Sequence, residues 1–152
     1  MRILIADDET AARYGMAKAL RGEGRELFEA EDGNAALAII REQLPDLVFL
    51  DLNMPLKSGI EVLMAMQTSP LPTKPEVIVV TANDTLNHAI ECIRHGAADF
   101  LAKPYDIDHL RSIARRSEQR VRLQRSVIEL QNKLLSSNGF GEILGISQPM
   151  VR

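Results

Sequence analysis

Residues 47–51, Leu47-Val48-Phe49-Leu50-Asp51, are four consecutive apolar residues closed by a carboxylate. The run does not alternate with polar residues, so it reads as a strand buried on both faces, the pattern of a central strand in a parallel sheet. Ile3-Leu4-Ile5-Ala6, ahead of Asp7-Asp8, has the same form. Outward from these two, strands are expected at Ile3–Ala6, Glu26–Ala30, Asp46–Leu50, Glu76–Val80 and Asp99–Ala102, with the charged Glu26–Ala30 run suited to an edge. Segments of helical period lie between them: Thr10–Gly24 (Ala12, Met16, Ala19, Leu20), Asn34–Leu44 (Leu37, Ile40, Leu44), Gly59–Gln67 (Ile60, Leu63, Met64) and Thr85–His95 (Leu86, Ile90, Ile93). Strands alternating with helices predict an α/β fold with a doubly wound parallel sheet covered on both faces. Pro70, Pro72 and Pro75 make the crossover into the fourth strand non-helical.

The whole chain of 152 residues is 45% apolar and 26% charged, with net charge −3, one cysteine and no tryptophan. These values exclude collagen-like, wholly disordered and disulfide-scaffold classes. The lone Cys92 cannot form an intramolecular bridge, and the first apolar run is too short for a signal-peptide core or membrane span, so a cytoplasmic location is expected. Charge divides the chain: residues 1–105 hold 10 basic and 16 acidic residues, whereas residues 106–152 hold 8 and 5. Beyond Pro104 one long helix is expected from Asp106, its cap, to Leu135. Leu110, Ile113 and Ala114 can pack on the sheet, and past Arg116 the helix is expected to project from the domain. Leu123, Val127, Leu130 and Leu134 follow 4-3-4 spacing, a seam of about two heptads whose natural partner is a second copy. Ser136-Ser137-Asn138-Gly139 is expected to break the helix.

In an open parallel sheet, ligands bind outside the carboxyl ends of the strands. The residues there are Asp7-Asp8, Asp51, Thr81 and Lys103. Three converging carboxylates repel one another, and a hard dication such as Mg²⁺ is the simplest compensation. Lys103 adds a positive charge and Thr81 a hydroxyl, the requirements for holding a phosphoryl group, with Asp51 as the candidate nucleophile for an aspartyl phosphate. Taken singly, each residue reads more readily as a turn former than as a catalytic group; it is the combination at the strand ends that carries the reading.

At this point the chain resembles the receiver domain of bacterial two-component response regulators. The resemblance rests on Ile3-Leu4-Ile5-Ala6-Asp7-Asp8-Glu9, Asp51-Leu52-Asn53-Met54-Pro55 with Gly59, Val80-Thr81-Ala82, Gly96-Ala97-Ala98-Asp99-Phe100 and Lys103-Pro104, and it covers residues 1 to 118. It implies a five-stranded, flavodoxin-like sheet in the order 2-1-3-4-5. It makes Asp51 the phosphoacceptor of a sensor histidine kinase. Asp8, Asp51 and the Asn53 backbone carbonyl are then Mg²⁺ ligands, with Asp7 reaching the ion mainly through water. Thr81 and Lys103 contact the phosphoryl oxygens, and the Lys103–Pro104 bond is cis. Thr81 and Phe100 form the switch, Phe100 turning inward as Thr81 is drawn to the phosphoryl group and reshaping the face of the fourth helix, fifth strand and fifth helix. A permanently buried Phe100 ring is the alternative. Asn53 and Asn83 lie where the family tunes hydrolysis.

Glu142-Ile143-Leu144-Gly145-Ile146-Ser147-Gln148-Pro149-Met150 is similar to the opening of the AAA+ ATPase domain in activators of sigma-54 RNA polymerase of the nitrogen-regulatory-protein-C type. That resemblance implies a receiver at 1–118, a helical dimerisation linker at 119–136 and the start of a truncated ATPase at 137–152. With neither a Walker-type Gly-x-x-x-x-Gly-Lys-Ser/Thr nor a recognisable helix-turn-helix in the chain, polymerase and DNA are reached only through missing domains. A homodimer is expected through the linker, and also through the fourth helix, fifth strand and fifth helix. Different output domains stay open, as does an aspartyl-nucleophile phosphatase. Such phosphatases commonly want a general-acid Asp at position 53, which is Asn53 here, so a switch is expected, capable at most of self-phosphorylation and autodephosphorylation. His88, Cys92 and His95 share a helix face, set opposite Leu86, Ile90 and Ile93, and read as a contact patch in preference to a zinc site. The arginines from Arg111 to Arg125 read as a solvated flank or as cross-dimer ion pairs, and Met54, Met64 and Met66 as packing residues.

Overall fold

The structure, a computed structural model, describes residues 1–69, 71–82 and 86–138. Pro70, Asn83, the expected helix start at Thr85, Gly139 and the Glu142–Met150 motif lie outside the described residues. The elements run β1 (Arg2–Ala6), α1 (Thr10–Leu20), β2 (Glu26–Ala30), α2 (Gly33–Gln43), β3 (Leu47–Asp51), α3 (Gly59–Thr68), β4 (Glu76–Ala82), α4 (Leu86–Arg94), β5 (Asp99–Lys103) and α5 (Ile107–Asn138). The sheet is parallel throughout, in the order β2-β1-β3-β4-β5. Two compact units divide the chain, Met1–Ser117 and Glu118–Arg152.

The side-chain period of two sorts the buried strand residues between two cores. Leu4, Val48, Leu50, Val77 and Val79 pack with α2, α3 and Cys92 of α4. Ile3, Ile5, Leu47, Phe49, Ile78 and Val80 pack with α1 and the first turns of α5. β1 and β3 are apolar in both phases because they serve both cores. Three helix starts, those of α2, α3 and α5, carry side-chain caps, whereas Glu9 at the start of α1 forms none. Asp32 accepts from Ala35 N at 2.7 Å, Ser58 and Glu61 form a reciprocal capping box, and Asp106 Oδ1 accepts from Asp108 N at 2.9 Å. Leu110, Ile113 and Ala114 are buried, as expected.

Several boundaries differ from expectation. α1 stops at Leu20, short of Gly24, because Gly22 and a left-handed Gly24 (φ 78°) end the helical backbone early. Gly139 lies outside the described residues, and the helix passes the expected end at Leu135 to include Ser136, Ser137 and Asn138, the first three residues of the expected break. Their penalties are only a few tenths of a kcal/mol each, too little to stop an established helix without a glycine. Met64 is 48% exposed, and Val62 takes its expected place in the core beside Leu63.

The packed face of α4 is also not the expected one. Ala89 and Cys92 are fully buried, while Ile90 and Ile93 are 44% and 40% exposed. Two small side chains three residues apart let the helix lie close on the sheet, which turns the bulkier isoleucines outward. Cys92 therefore cannot share an exposed patch or metal site with His88 and His95. Burial, with the Glu91 charge adding, pushes its thiol up to about 11. At pH 8 the folded protein should expose about one thiolate in a thousand. Alkylation should accordingly run at least ~100-fold slower than in urea, as timed labelling followed by mass measurement would show. The sign for stability follows: the contribution of the buried thiol is intact below pH 9 and is lost as pH rises from 9 to about 11.

Candidate functional site

The register that fills the core beneath α1 and α5 also builds the site. Ala6 pairs with Leu50, Asp51 with Val80, and Ala82 with Lys103. Continuing the phase of Ile5, Phe49, Val80 and Leu101 by two residues places Asp7, Asp51, Ala82 and Lys103 in one row along the carboxyl edge. Asp51, Thr81 and Lys103 thus belong to strand ends, where the sequence suggested positions just after them. Lys103 Nζ lies 3.2 Å from Asp7 Oδ2 and 3.2 Å from Asp51 Oδ2. The remaining carboxylate oxygens hold loop backbone: Asp7 Oδ1 accepts from Glu9 N at 2.9 Å and Asp51 Oδ1 from Asn53 N at 3.0 Å. Asp8 completes a trio in which one carboxylate oxygen from each residue lies within 4.8 Å of the others. With Glu9, Asn53 and Ala82, these residues line a cleft of about 450 Å³.

Asp7 and Asp51 are 4% and 7% exposed, whereas Asp8 is open to solvent. Three carboxylates face one ammonium, which leaves two negative charges in excess. Burial raises the Asp51 carboxyl above its ordinary value, the Asn53 N–H and Lys103 pull it back, and the charge of Asp7 raises it further. For Lys103, burial alone would lower the ammonium, but the carboxylates of Asp51 and Asp7 outweigh it and the group is raised. An all-oxygen donor set with two uncompensated charges fits a hard dication of the Mg²⁺ type.

Thr81 and Phe100 do not join this cluster. Both have the opposite strand phase, toward the α2–α4 side. Thr81 is 1% exposed and donates its hydroxyl to Ala82 O at 3.1 Å, not to a site carboxylate. Phe100 is half-buried and packs against that core. The Lys103–Pro104 peptide is cis.

Two residues that sequence reasoning did not assign also shape the site. Gly59 opens α3 directly against the end of β3, and a Cβ there would lie 2.9 Å from both Asp51 O and Leu52 Cδ2. Gly59→Ala should cost about 1–3 kcal/mol, since backbone must move to admit the methyl group. Urea denaturation would measure that loss. Arg13, in the first turn of α1, is only 12% exposed and donates from Nη1 to Asp7 O at 2.6 Å. Its signal in the sequence is a cation at a helix N-terminus, where the dipole disfavours one.

A family model for the response regulator receiver domain matches residues 3–115. The chain belongs to that family, whose members are phosphorylation-dependent switches that interact with sensor histidine kinases. Regulatory protein AtoC of Escherichia coli (strain K12) is 35% identical over 150 residues, covering 99% of this chain and 32% of AtoC. Sporulation initiation phosphotransferase F of Bacillus subtilis (strain 168) is 36% identical over 115 residues, covering 76% of this chain and 91% of that protein. Among solved structures, NtrX from Brucella abortus in complex with ADP superposes with a TM-score of 0.72 at 30% identity, covering 95% of this chain and 30% of NtrX. The chain thus spans about a third of the length of AtoC and of NtrX. No helix among the described residues is long and apolar enough to cross a membrane.

Proposed function

We propose that Asp51 is the phosphoacceptor of a cytoplasmic two-component switch, taking a phosphoryl group from a histidine of a sensor kinase. The observation that carries this is the buried Asp51 carboxylate at the end of a central strand, opposed by Lys103 and flanked by Asp7 and Asp8. A carboxylate oxygen of Asp51 attacks phosphorus, the bond from phosphorus to the donor nitrogen breaks, and the imidazole leaves with the electron pair and takes up a proton. Lys103 stands where negative charge accumulates on the transferred oxygens. Asp7, Asp8, Asp51 and the Asn53 carbonyl would hold Mg²⁺. When bound, the ion supplies charge neutralisation to the phosphoryl oxygens. Thr81 and Phe100 act as the switch pair, and Thr81 must first release the Ala82 carbonyl.

The output belongs to a larger regulator. Coverage of nearly the whole chain by AtoC and by NtrX supports a receiver at 1–118, a linker at 119–136 and the opening of an ATPase at 137–152, controlling sigma-54 polymerase through domains beyond these residues. Leu123, Val127, Leu130 and Leu134 are 52–67% exposed on the linker helix, which supports pairing with a second copy. Asn53 in place of a general-acid Asp favours a stored phosphoryl group over turnover of external substrates.

Intact mass after incubation with acetyl phosphate tests the central claim. With Mg²⁺, one added phosphoryl group per chain is expected. With a chelator in its place there should be none. Unchanged mass in both would end the reading.

A further inference from the structure

We propose that Arg13 is a positioning residue for the cation site, clamping the loop that presents Asp7 and Asp8; this rests on the reading of the acidic trio as an Mg²⁺ site. Every polar atom of Asp7 is engaged. Its N–H donates to Ala30 O at 3.0 Å, Oδ1 accepts from Glu9 N, Oδ2 accepts from Lys103, and its carbonyl accepts from Arg13 Nη1 at 2.6 Å. Three of these four partners come from other elements of the fold, and Arg13 is the one that ties the loop to α1.

The guanidinium is itself held. Nε pairs with Glu29 Oε1 of β2 at 3.3 Å, and Nη2 reaches Thr10 Oγ1 at 3.4 Å. The planar fork thus joins three pieces, the end of β1, the first turn of α1 and β2, which a flexible ammonium with one nitrogen cannot do in the same way. Against the dipole of α1 such a cation is unfavourable, so the contacts at its head must justify its place. Without the clamp, the Asp7 carbonyl loses its partner in a largely buried setting, and the loop carrying both aspartates is free to relax.

The sign of the effect separates positioning from charge. Arg13 is a cation close to a cation site, so if its charge alone mattered, removing it would tighten Mg²⁺ binding. Positioning predicts the reverse. Calorimetric titration of the unphosphorylated protein with Mg²⁺ should show binding about 10–100-fold weaker in Arg13→Ala and about 3–10-fold weaker in Arg13→Lys, which keeps one donor and loses the fork. Arg2→Ala is the control. It removes a comparable clamp, Arg2 Nη1 to Gln43 O at 2.7 Å, and should lower stability in urea without changing the Mg²⁺ affinity. If Arg13→Ala fails to fold, Arg13→Lys alone decides. Arginine variants that bind within twofold of wild type, or more tightly, overturn the inference. A wild-type protein that binds no Mg²⁺ would instead overturn the reading of the aspartate trio on which it rests.

Discussion

Asp51→Asn should take up no phosphoryl group from acetyl phosphate and should also be more stable than the wild type at neutral pH without divalent cations. Both results come from one side chain. The amide has no nucleophilic oxygen of carboxylate strength, so transfer is lost outright. The gain in stability is electrostatic. Burial raises the Asp51 carboxyl in the folded state, opposed by the Asn53 N–H and Lys103 and reinforced by Asp7. An acid raised on folding favours the folded state below its unfolded value, near 3.8, and loses that contribution as pH climbs through the folded value. Ionised Asp51 therefore costs stability at pH 7, on the order of 1–3 kcal/mol for a buried and incompletely compensated charge. Asparagine has nearly the same shape, can still accept the Asn53 N–H, and leaves Lys103 paired with Asp7. A rise in Tm of roughly 3–8 °C is expected at pH 7, shrinking toward pH 4. Mg²⁺ should raise the melting temperature of the wild type more than that of the variant. A variant less stable than wild type at pH 7 would show that the acidic cluster is not strained by its own charge.

Function and stability thus pull on the same residues, and this explains which parts of the molecule were legible from sequence. The central strands were, because Ile3-Leu4-Ile5 and Leu47-Val48-Phe49-Leu50 must satisfy cores on both sides and can carry no polar residue until they emerge. The carboxylates at their ends stand out against that background. The face of α4 was not legible. Leu86, Ile90 and Ile93 form as good an apolar stripe as Ala89 and Cys92, and hydrophobicity alone prefers the larger side chains. The choice depends on how close the helix must lie to the sheet, which is a property of the assembled core. Arg13 was hidden for a related reason. Its main partner is a backbone carbonyl, and main-chain acceptors leave no mark in a sequence. Thr81 was expected just after the fourth strand and lies among its last paired residues, and the partner of its hydroxyl depends on rotamer: it bonds the neighbouring carbonyl.

Lys103→Met should slow phosphoryl transfer about 100–1000-fold, the usual effect of removing one preorganised charge that faces a developing oxyanion. Methionine preserves most of the length and apolar stem of lysine, so the strand end of β5 keeps its packing while the ammonium disappears. The same change has a stability arm of opposite sign to that of Asp51→Asn. Lys103 bridges Asp7 and Asp51 at 3.2 Å each, and without it two buried carboxylates face each other with no cation. Removing one partner of a fully buried ion pair costs about 3–5 kcal/mol. Here the ammonium is 31% exposed and partly screened, so a loss of about 2 kcal/mol is the sounder expectation. The two arms separate under Mg²⁺: a dication can restore charge balance among the aspartates and recover much of the stability, but it does not replace the ammonium beside Asp51, so the transfer defect should persist. Combining Lys103→Met with Asp51→Asn sharpens the test. The substitutions remove opposite members of one contact, so their stability effects should fail to add, with the double variant more stable than Lys103→Met alone. Additive effects in urea denaturation would show that Lys103 and Asp51 do not compensate each other in the folded protein, and a transfer rate in Mg²⁺ equal to that of the wild type would show that the lysine serves only the fold.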